Sequence, residues 1–328
     1  MSVRVPDGDA LLPLLGKPLD DPSVLACLAQ VARGIHPELD PDDEDIVADW
    51  VTLNEIGLEF GFEDTAFLFA LDEDLRRQNG VTLSQLYFYG DTPQMQPFPS
   101  RLPFGLDFSD NRAAARAKLA AYEPTRRSYI RDAWRLPGFD VTVAYDDRDL
   151  LESVFCHVPH SPWPPLAPPP PLTPDEFSAL FGLRWSNTGL RKALARYGYD
   201  QVLGEVRDEH VADFRRLCGL EVEFAAGADL RAADPRYPKA LAVGAIVYYA
   251  ERETDARGWT GPLPFGLSFD DVQDDLIRKV GRPPDDQEDD VLSGSCTWHF
   301  DDTSLRVIYS NLENRPLRIT FAAAGYLA

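Results

Sequence analysis

The sequence predicts an α+β fold made of two tandem, pseudo-symmetric repeats, each with helices packed on an antiparallel sheet. Three observations carry that expectation. The phrase PFGLDFSD at Pro103 returns as PFGLSFDD at Pro264, 161 residues later, with six of eight letters unchanged. Segments around both phrases alternate apolar and polar residues, as half-buried antiparallel strands do. Between them lies PHSPWPPLAPPPPLTP (159–174), more than half proline. The expected division is a first repeat over 1–158, a strap over 159–174 and a second repeat over 175–328.

Each repeat reads the same way from its start. A helical N-terminal part comes first, with LLG at Leu14 opposite LFG at Leu180 and VADW at Val47 opposite VADF at Val211. A strand pair follows. IGLEFGF leads to LSQLYFYG (Leu83–Gly90), GLEF at Gly57 matches GLEVEF at Gly219, and VGAIVYYA (Val243–Ala250) is the second copy of the aromatic strand. Both aromatic segments are rich in residues that favour strands. The PFGL phrase then reads as a joint. Phe and Leu serve the core, Gly105 and Gly266 the bend, and Ser109–Asp110 and Asp270–Asp271 the cap of the next helix. FSDNRAAARAKLAAYEP and FDDVQDDLIRKVGRPPD each give that helix and a break. Three antiparallel strands close the repeat. One carries Trp134 or Trp298, the next is VTVAY (Val141–Tyr145) or LRVIY (Leu305–Tyr309), and the last is LESVF (Leu151–Phe155) or LRITF (Leu317–Phe321). The order is colinear throughout, the pattern of an ancient tandem duplication. The strap favours an extended polyproline II spacer, with Trp163 packed onto one of the halves.

Composition narrows the function classes. The chain has 328 residues, 44% of them hydrophobic and 11% aromatic, enough to build the cores of two domains. Acidic residues number 54 against 32 basic ones, a formal charge of −22. That balance argues against direct nucleic-acid binding, which relies on Lys and Arg to neutralise phosphates. It suits high solubility, or a basic partner drawn in by electrostatic steering. Cys27, Cys156, Cys218 and Cys296 are scattered without CxxC spacing, as reduced thiols of a cytoplasmic protein are. The start, MSVRVPDGDALLPLLGKPLD, lacks the charged and apolar regions of a secretory leader, and no run is long enough to span a bilayer. The expected protein is cytoplasmic, binds no membrane and is monomeric, because a duplication supplies internally what others gain by dimerising.

The search for chemistry is brief. CHVPH offers Cys156, His157 and His160, the one short-spaced group of metal-capable residues, but zinc would need further ligands. The matching AAAGY from Ala322 has none of them, so a strand end entering the proline strap is expected and no metal or cofactor is assigned. DPDDEDIVAD (40–49) looks calcium-like, yet Asp45 and Val51 stand where an EF-hand needs glycine and glutamate. An acidic helix N-terminus is the alternative. DDQEDD (285–290) reads as a solvated loop or a partner-facing patch. GxSxG, HExxH, P-loop and GxGxxG signatures are missing, and no acid recurs beside a histidine or nucleophile in both halves. The halves share aromatic, aliphatic and glycine positions, as a duplicated scaffold does.

The stretch LPFGLSFDDVQDDLIRKVGRPPDDQEDD…CTWHFDDTSLRVIYSNLENRPLRITF resembles repeats of the β-lactamase-inhibitor-protein and SmpA/OmlA type. In those, a glycine turn leads to a short helix ending in LG.P, followed by a tryptophan strand and two more strands. Gly266, Leu267, Gly281, Pro283, Trp298, Val307 and Ile319 occupy the corresponding places. The first copy departs at Ala121, where Gly281 falls, but keeps Pro124 and Trp134. The whole chain is also similar to bacterial immunity proteins of polymorphic and type VI toxin systems. That resemblance implies a non-enzymatic inhibitor that occludes the active site of a toxin acting in the cytoplasm. The charge adds that a toxin cutting or modifying nucleic acids, with a basic cleft, would suit it. The candidate partner-binding residues are Asp42, Asp43, Glu44 and Asp45, with Asp286, Glu288, Asp289 and Asp290. An intracellular scaffold, or an enzyme with a cryptic carboxylate or Cys/His site, are the alternatives.

Overall fold

The computed structural model describes residues 5–39, 46–71, 78–128, 130–164, 167–290 and 293–327. The chain divides into two compact units, Met1–Pro162 with Leu312–Asn314, and Trp163–Asn311 with Arg315–Ala328. Each contains one seven-stranded antiparallel sheet, and the fold is mixed α+β.

In the first unit the strands are β1 (Ala48–Leu53), β2 (Leu58–Asp64), β3 (Val81–Tyr89), β4 (Glu123–Arg127), β5 (Arg131–Leu136), β6 (Phe139–Tyr145) and β7 (Leu151–His157). They lie in the order β1-β2-β3-β7-β6-β5-β4. The second unit holds β8 (Val211–Phe214), β9 (Leu220–Ala226), β10 (Leu241–Tyr249), β11 (Asp286–Asp289), β12 (Ser293–His299), β13 (Thr303–Ser310) and β14 (Arg315–Ala323). Their order, β8-β9-β10-β14-β13-β12-β11, is the same strand for strand. That identity fits a repeat.

Helices α1 (Gly8–Leu11), α2 (Pro22–Val31), α3 (Thr65–Leu68) and α4 (Arg112–Lys118) belong to the first unit. The second has α5 (Pro174–Ser178), α6 (Thr188–Leu194), α7 (Leu203–Glu209), α8 (Arg215–Cys218) and α9 (Gln273–Val280). Their starts follow from local chemistry. Asp21 accepts from the Ser23 N–H at 2.8 Å ahead of Pro22, and Thr173 and Glu176 form a capping box on α5. Among the described residues no helix is long and apolar enough to cross a membrane.

Each sheet has two more strands than the five read from the sequence. VADW and VADF fall in β1 and β8 rather than in a helical segment, and β4 and β11 follow the helix where only a break was read. All four are terminal or near-terminal positions of the sheet order. β4 and β11 are mostly exposed and leave no apolar alternation to read, whereas β8 alternates in burial but over only four residues.

The period of two sorts the middle of each sheet. Leu58, Phe60 and Phe62 of β2 and Val141, Val143 and Tyr145 of β6 join one apolar cluster with Leu28 of α2 and Ala115 of α4. Leu220, Val222 and Phe224 of β9 do the same with Leu276 of α9. Yet β2 is buried throughout, and β3 and β10 are buried from their second residue on. The residues of the opposite face are therefore also withdrawn from water, which half-buried strands would not require. The repeated GLE has a backbone reason. Gly57 and Gly219 have φ 52° and 69°, and a Cβ there would lie 2.1 Å from the Gln96 carbonyl oxygen or 2.5 Å from the Gly258 carbonyl carbon. Their own carbonyls accept from the Tyr89 and Tyr249 N–H groups at 2.9 Å.

The repeated PFG phrase lies in the crossover from β3 to the sheet edge at β4, and again from β10 to β11. Leu106 N donates to the Pro103 carbonyl and Leu267 N to the Pro264 carbonyl, both at 3.1 Å. Inside each turn two successive residues are left-handed. Phe104 and Gly105 have φ 62° and 66°, and Phe265 and Gly266 have 57° and 67°. Glycine takes this conformation freely, but a phenylalanine there carries steric strain. Two expectations about the joint need correction. Phe265 is 41% exposed and serves no core, whereas Phe104 is half-buried against one. The helix caps are also displaced by one residue: Asn111 caps α4, accepting from Ala114 N at 2.9 Å, and α9 starts after Val272. Asp110 and Asp271 point backwards instead, accepting from the Asp107 and Ser268 N–H groups at 2.8 Å. Each also meets a lysine of its helix, Lys118 at 2.6 Å and Lys279 at 2.7 Å. In the strap, Trp163 belongs to the second unit: its backbone N–H donates to the Glu251 carboxylate at 3.2 Å and the Arg252 guanidinium lies 4.1 Å over its ring.

Candidate functional site

The acidic run of the second unit is a strand and not a solvated loop. Asp286–Asp289 form β11, paired to β12 alone and exposed at every residue. Asp286 and Glu288 have side chains 74% and 81% exposed, with His299 Nε2 3.5 Å from the first and Arg306 3.9 Å from the second. Asp289 accepts from Asn311 Nδ2 at 2.7 Å, and the Asp290 carbonyl accepts from the same amide. All four candidates are exposed, and Asp289 through its carboxylate and Asp290 through its backbone carbonyl also anchor the strand. Just before them, Arg282 grips Asp285 through two bonds of 2.7 and 2.9 Å, and His299 N adds a third at 2.7 Å. These contacts, the arginine first, hold the Asp285 carboxyl down at about 2. Asp42, Asp43, Glu44 and Asp45 lie outside the described residues.

A second concentration of chemistry sits on the face of each sheet opposite the apolar cluster. In the first unit Glu59, Glu63, Gln85, Tyr87, Tyr89 and His157 share that face through the register of β2, β3 and β7. Tyr89 donates to Glu59 at 3.1 Å, and burial pushes the Glu59 carboxyl up. Glu63 is 3% exposed and receives Ser84 Oγ at 2.6 Å, Gln85 Nε2 at 2.8 Å and His160 Nε2 at 2.5 Å. Burial alone would raise its carboxyl, but the His160 ring and the two further donors outweigh it and hold it below the usual range.

The second unit repeats part of this. Glu221 and Tyr249 stand where Glu59 and Tyr89 do, and Glu223 accepts from Tyr326 Oη at 2.8 Å. Burial, with the neighbouring Glu223 charge, pushes Glu221 up to about 7, although Arg215 lies 3.5 Å away. Each unit thus keeps a buried glutamate and tyrosine at matching positions of adjacent strands. A carboxyl raised in this way can hold a proton near neutral pH.

The CHVPH group does not converge. Cys156 belongs to the apolar cluster and His157 to the opposite face, because neighbours on a strand point apart. His157 is buried, which pushes its ring down, and its Nδ1 has no partner among the described residues. His160 is committed to Glu63. Among the described residues no three His, Cys, Asp or Glu are placed to hold a metal ion. All four cysteines are free and buried, and burial pushes Cys27 and Cys296 up to about 11 and Cys218 to about 12.

No protein-family model matches the chain, and no curated protein matches it. The glutamate–tyrosine positions were present in the matched phrases GLEF/GLEVEF and LYFYG/VYYA, where they read as strand fillers. Only the register places each glutamate beside its tyrosine on the side away from the apolar cluster.

Proposed function

We propose that this chain is a non-enzymatic immunity protein that binds a cognate bacterial toxin acting in the cytoplasm and neutralises it by occluding its active site. The observation that carries this reading is the exposed acidic strand β11, which offers Asp286 and Glu288 to solvent on a chain of formal charge −22. Acids at a sheet edge also discourage aggregation. In a chain with so large an acidic surplus they further create a field that draws in a basic partner and orients it. A toxin with a basic cleft for nucleic-acid phosphate has the matching charge. In this reading the body is two pseudo-symmetric repeats with helices packed on their sheets. It works as a monomer, without cofactor, nucleic acid or membrane.

The test is co-purification of the tagged chain from the bacterium that encodes it, at moderate salt, with the bound protein identified by mass spectrometry. One stoichiometric partner with a basic toxin domain is expected, and its activity should be lost in the complex. Reversing Asp286 and Glu288 to lysine should slow association about tenfold at low salt and much less at high salt. Recovery of the chain alone, from cells that make the neighbouring proteins, would refute the reading.

A further inference from the structure

We infer that the Phe265–Phe300 stack of the second unit anchors the docking surface and receives an arginine or lysine side chain of a basic protein partner. The inference rests on the binding reading above and adds where the partner's cation lands. Among the described residues, which include all 18 phenylalanines, Phe265 alone is in the exposed range, at 41%. It is stacked on Phe300 with ring centroids 5.0 Å apart and planes 23° apart. Its backbone is left-handed at φ 57°, a strained state for an aromatic residue. A turn of this kind is most comfortable with Asn, Asp or Gly at that position. Exposure buys back little of that strain through burial, unlike at Phe104, which has a core to fill. Phe104 carries the same strain against a core, so it is the exposure of the Phe265 ring that marks it as a binding anchor.

The surroundings select the partner's chemistry. The Arg282 guanidinium already lies 5.1 Å from the Phe300 ring centre, held by Asp285, so the stack accepts a cation on one of its rings. Exposed Asp270, Asp301 and Asp302 stand in the segments that carry the two phenylalanines, and Asp286 follows Asp285 at the start of β11. Rings whose own chain segments carry these exposed acids fit a guanidinium or ammonium group and disfavour an anion.

The experiment uses the full chain labelled in its phenylalanine rings and a short arginine–glycine repeat peptide, with a serine–glycine peptide as the control. Ring resonances are followed by NMR, and affinity by calorimetry for the wild type and Phe265→Gly. The expected result is that Phe265 and Phe300 shift most, and only with the arginine peptide. Phe265→Gly should bind about threefold to fivefold more weakly, with a thermal midpoint no lower than the wild type. Peptide binding that leaves both rings unmoved and the Phe265→Gly affinity unchanged would overturn the anchor while leaving the acidic-surface reading standing. Absence of any binding at low salt would overturn the anchor, and the co-purification above decides the binding reading by itself. The ring shifts are read on the wild type, so the test survives even if the variant folds poorly.

Discussion

The two units share one strand order, yet they fill the space beneath the helix that follows the PFG turn in opposite ways. In the first unit Asp132, fully buried on β5, receives Arg116 through two bonds of 2.7 and 2.9 Å and Tyr145 Oη at 3.2 Å, with Arg112 3.9 Å away. In the second unit the same places hold Cys296, Tyr309 and Gln273, and Gln273 Nε2 donates to Tyr309 Oη at 2.8 Å. One cluster is ionic and the other neutral, under the same turn and beside the same tryptophan strand. The frame therefore fixes where a polar group sits but not its charge. The joint differs too. Phe104 lies against Tyr122 at 5.8 Å and Phe139 at 6.4 Å, whereas Phe265 keeps one stacked partner and stays open to water. Identical letters serve a core in one unit and a surface in the other.

The largest expected effect separates the two polar clusters. Asp132→Ala removes the buried acceptor of Arg116 and Tyr145 and should cost about 2–3 kcal/mol, less than a fully buried pair because the Arg116 side chain is 35% exposed and stays hydrated. Cys296→Ala removes a small, weakly bonded side chain at the matching position and should cost about 1 kcal/mol. Chemical denaturation of both variants measures the contrast, and equal losses would mean that the ionic cluster contributes nothing specific.

A smaller effect distinguishes the glutamates of the opposite faces by pH. Glu221 is raised to about 7 in the folded chain, so the native state holds its proton more tightly than the unfolded chain does. Stability from this group is therefore fully present below the unfolded value and is lost as pH rises through the range from about 4.5 to about 7. Glu221→Gln should stabilise the protein by on the order of 2 kcal/mol at pH 8 and change little at pH 4. Glu63 has the opposite sign. Its carboxyl is held below the usual range, so its contribution is present at neutral pH and is lost on acidification. Glu63→Gln should therefore be destabilising at pH 7, and less so as the pH falls below 4. Thermal midpoints across pH for the two variants should move in opposite directions.

The smallest effect tests the joint. Phe265→Gly relieves a left-handed strain at little loss of burial, and should leave the chain as stable as before or about 1 kcal/mol more so. Phe104→Gly relieves the same strain but gives up its aromatic contacts, and should destabilise by about 1 kcal/mol. If both variants respond alike, the two phenylalanines do the same work and the contrast between units disappears.

Legibility followed burial. Strands in the middle of a sheet, such as VTVAY and VGAIVYYA, are recognisable because neighbours on both sides demand aliphatic and aromatic residues. The edge segments EPTRR and DQED carry no such demand, and their strand state depends on one partner's hydrogen bonds. The site residues met the same limit. The glutamates of GLEF and GLEVEF are visible as letters, but their burial depends on which way a strand faces, and a slip of one residue would put them into the apolar cluster. CHVPH read as one group because its letters are adjacent, while the pleat points Cys156 and His157 apart.

By itself, the sequence determined the α+β class, the repeated phrases, the bend at each PFG and the acidic surplus, because these follow from local propensity, periodicity and composition. The tertiary structure alone decided that Asp110 and Asp271 close turns rather than cap helices. It alone paired Glu63 with His160 and left Phe265 in water while Phe104 gained a core. Each of these depends on what a distant segment brings within a few ångströms, and no local pattern encodes that.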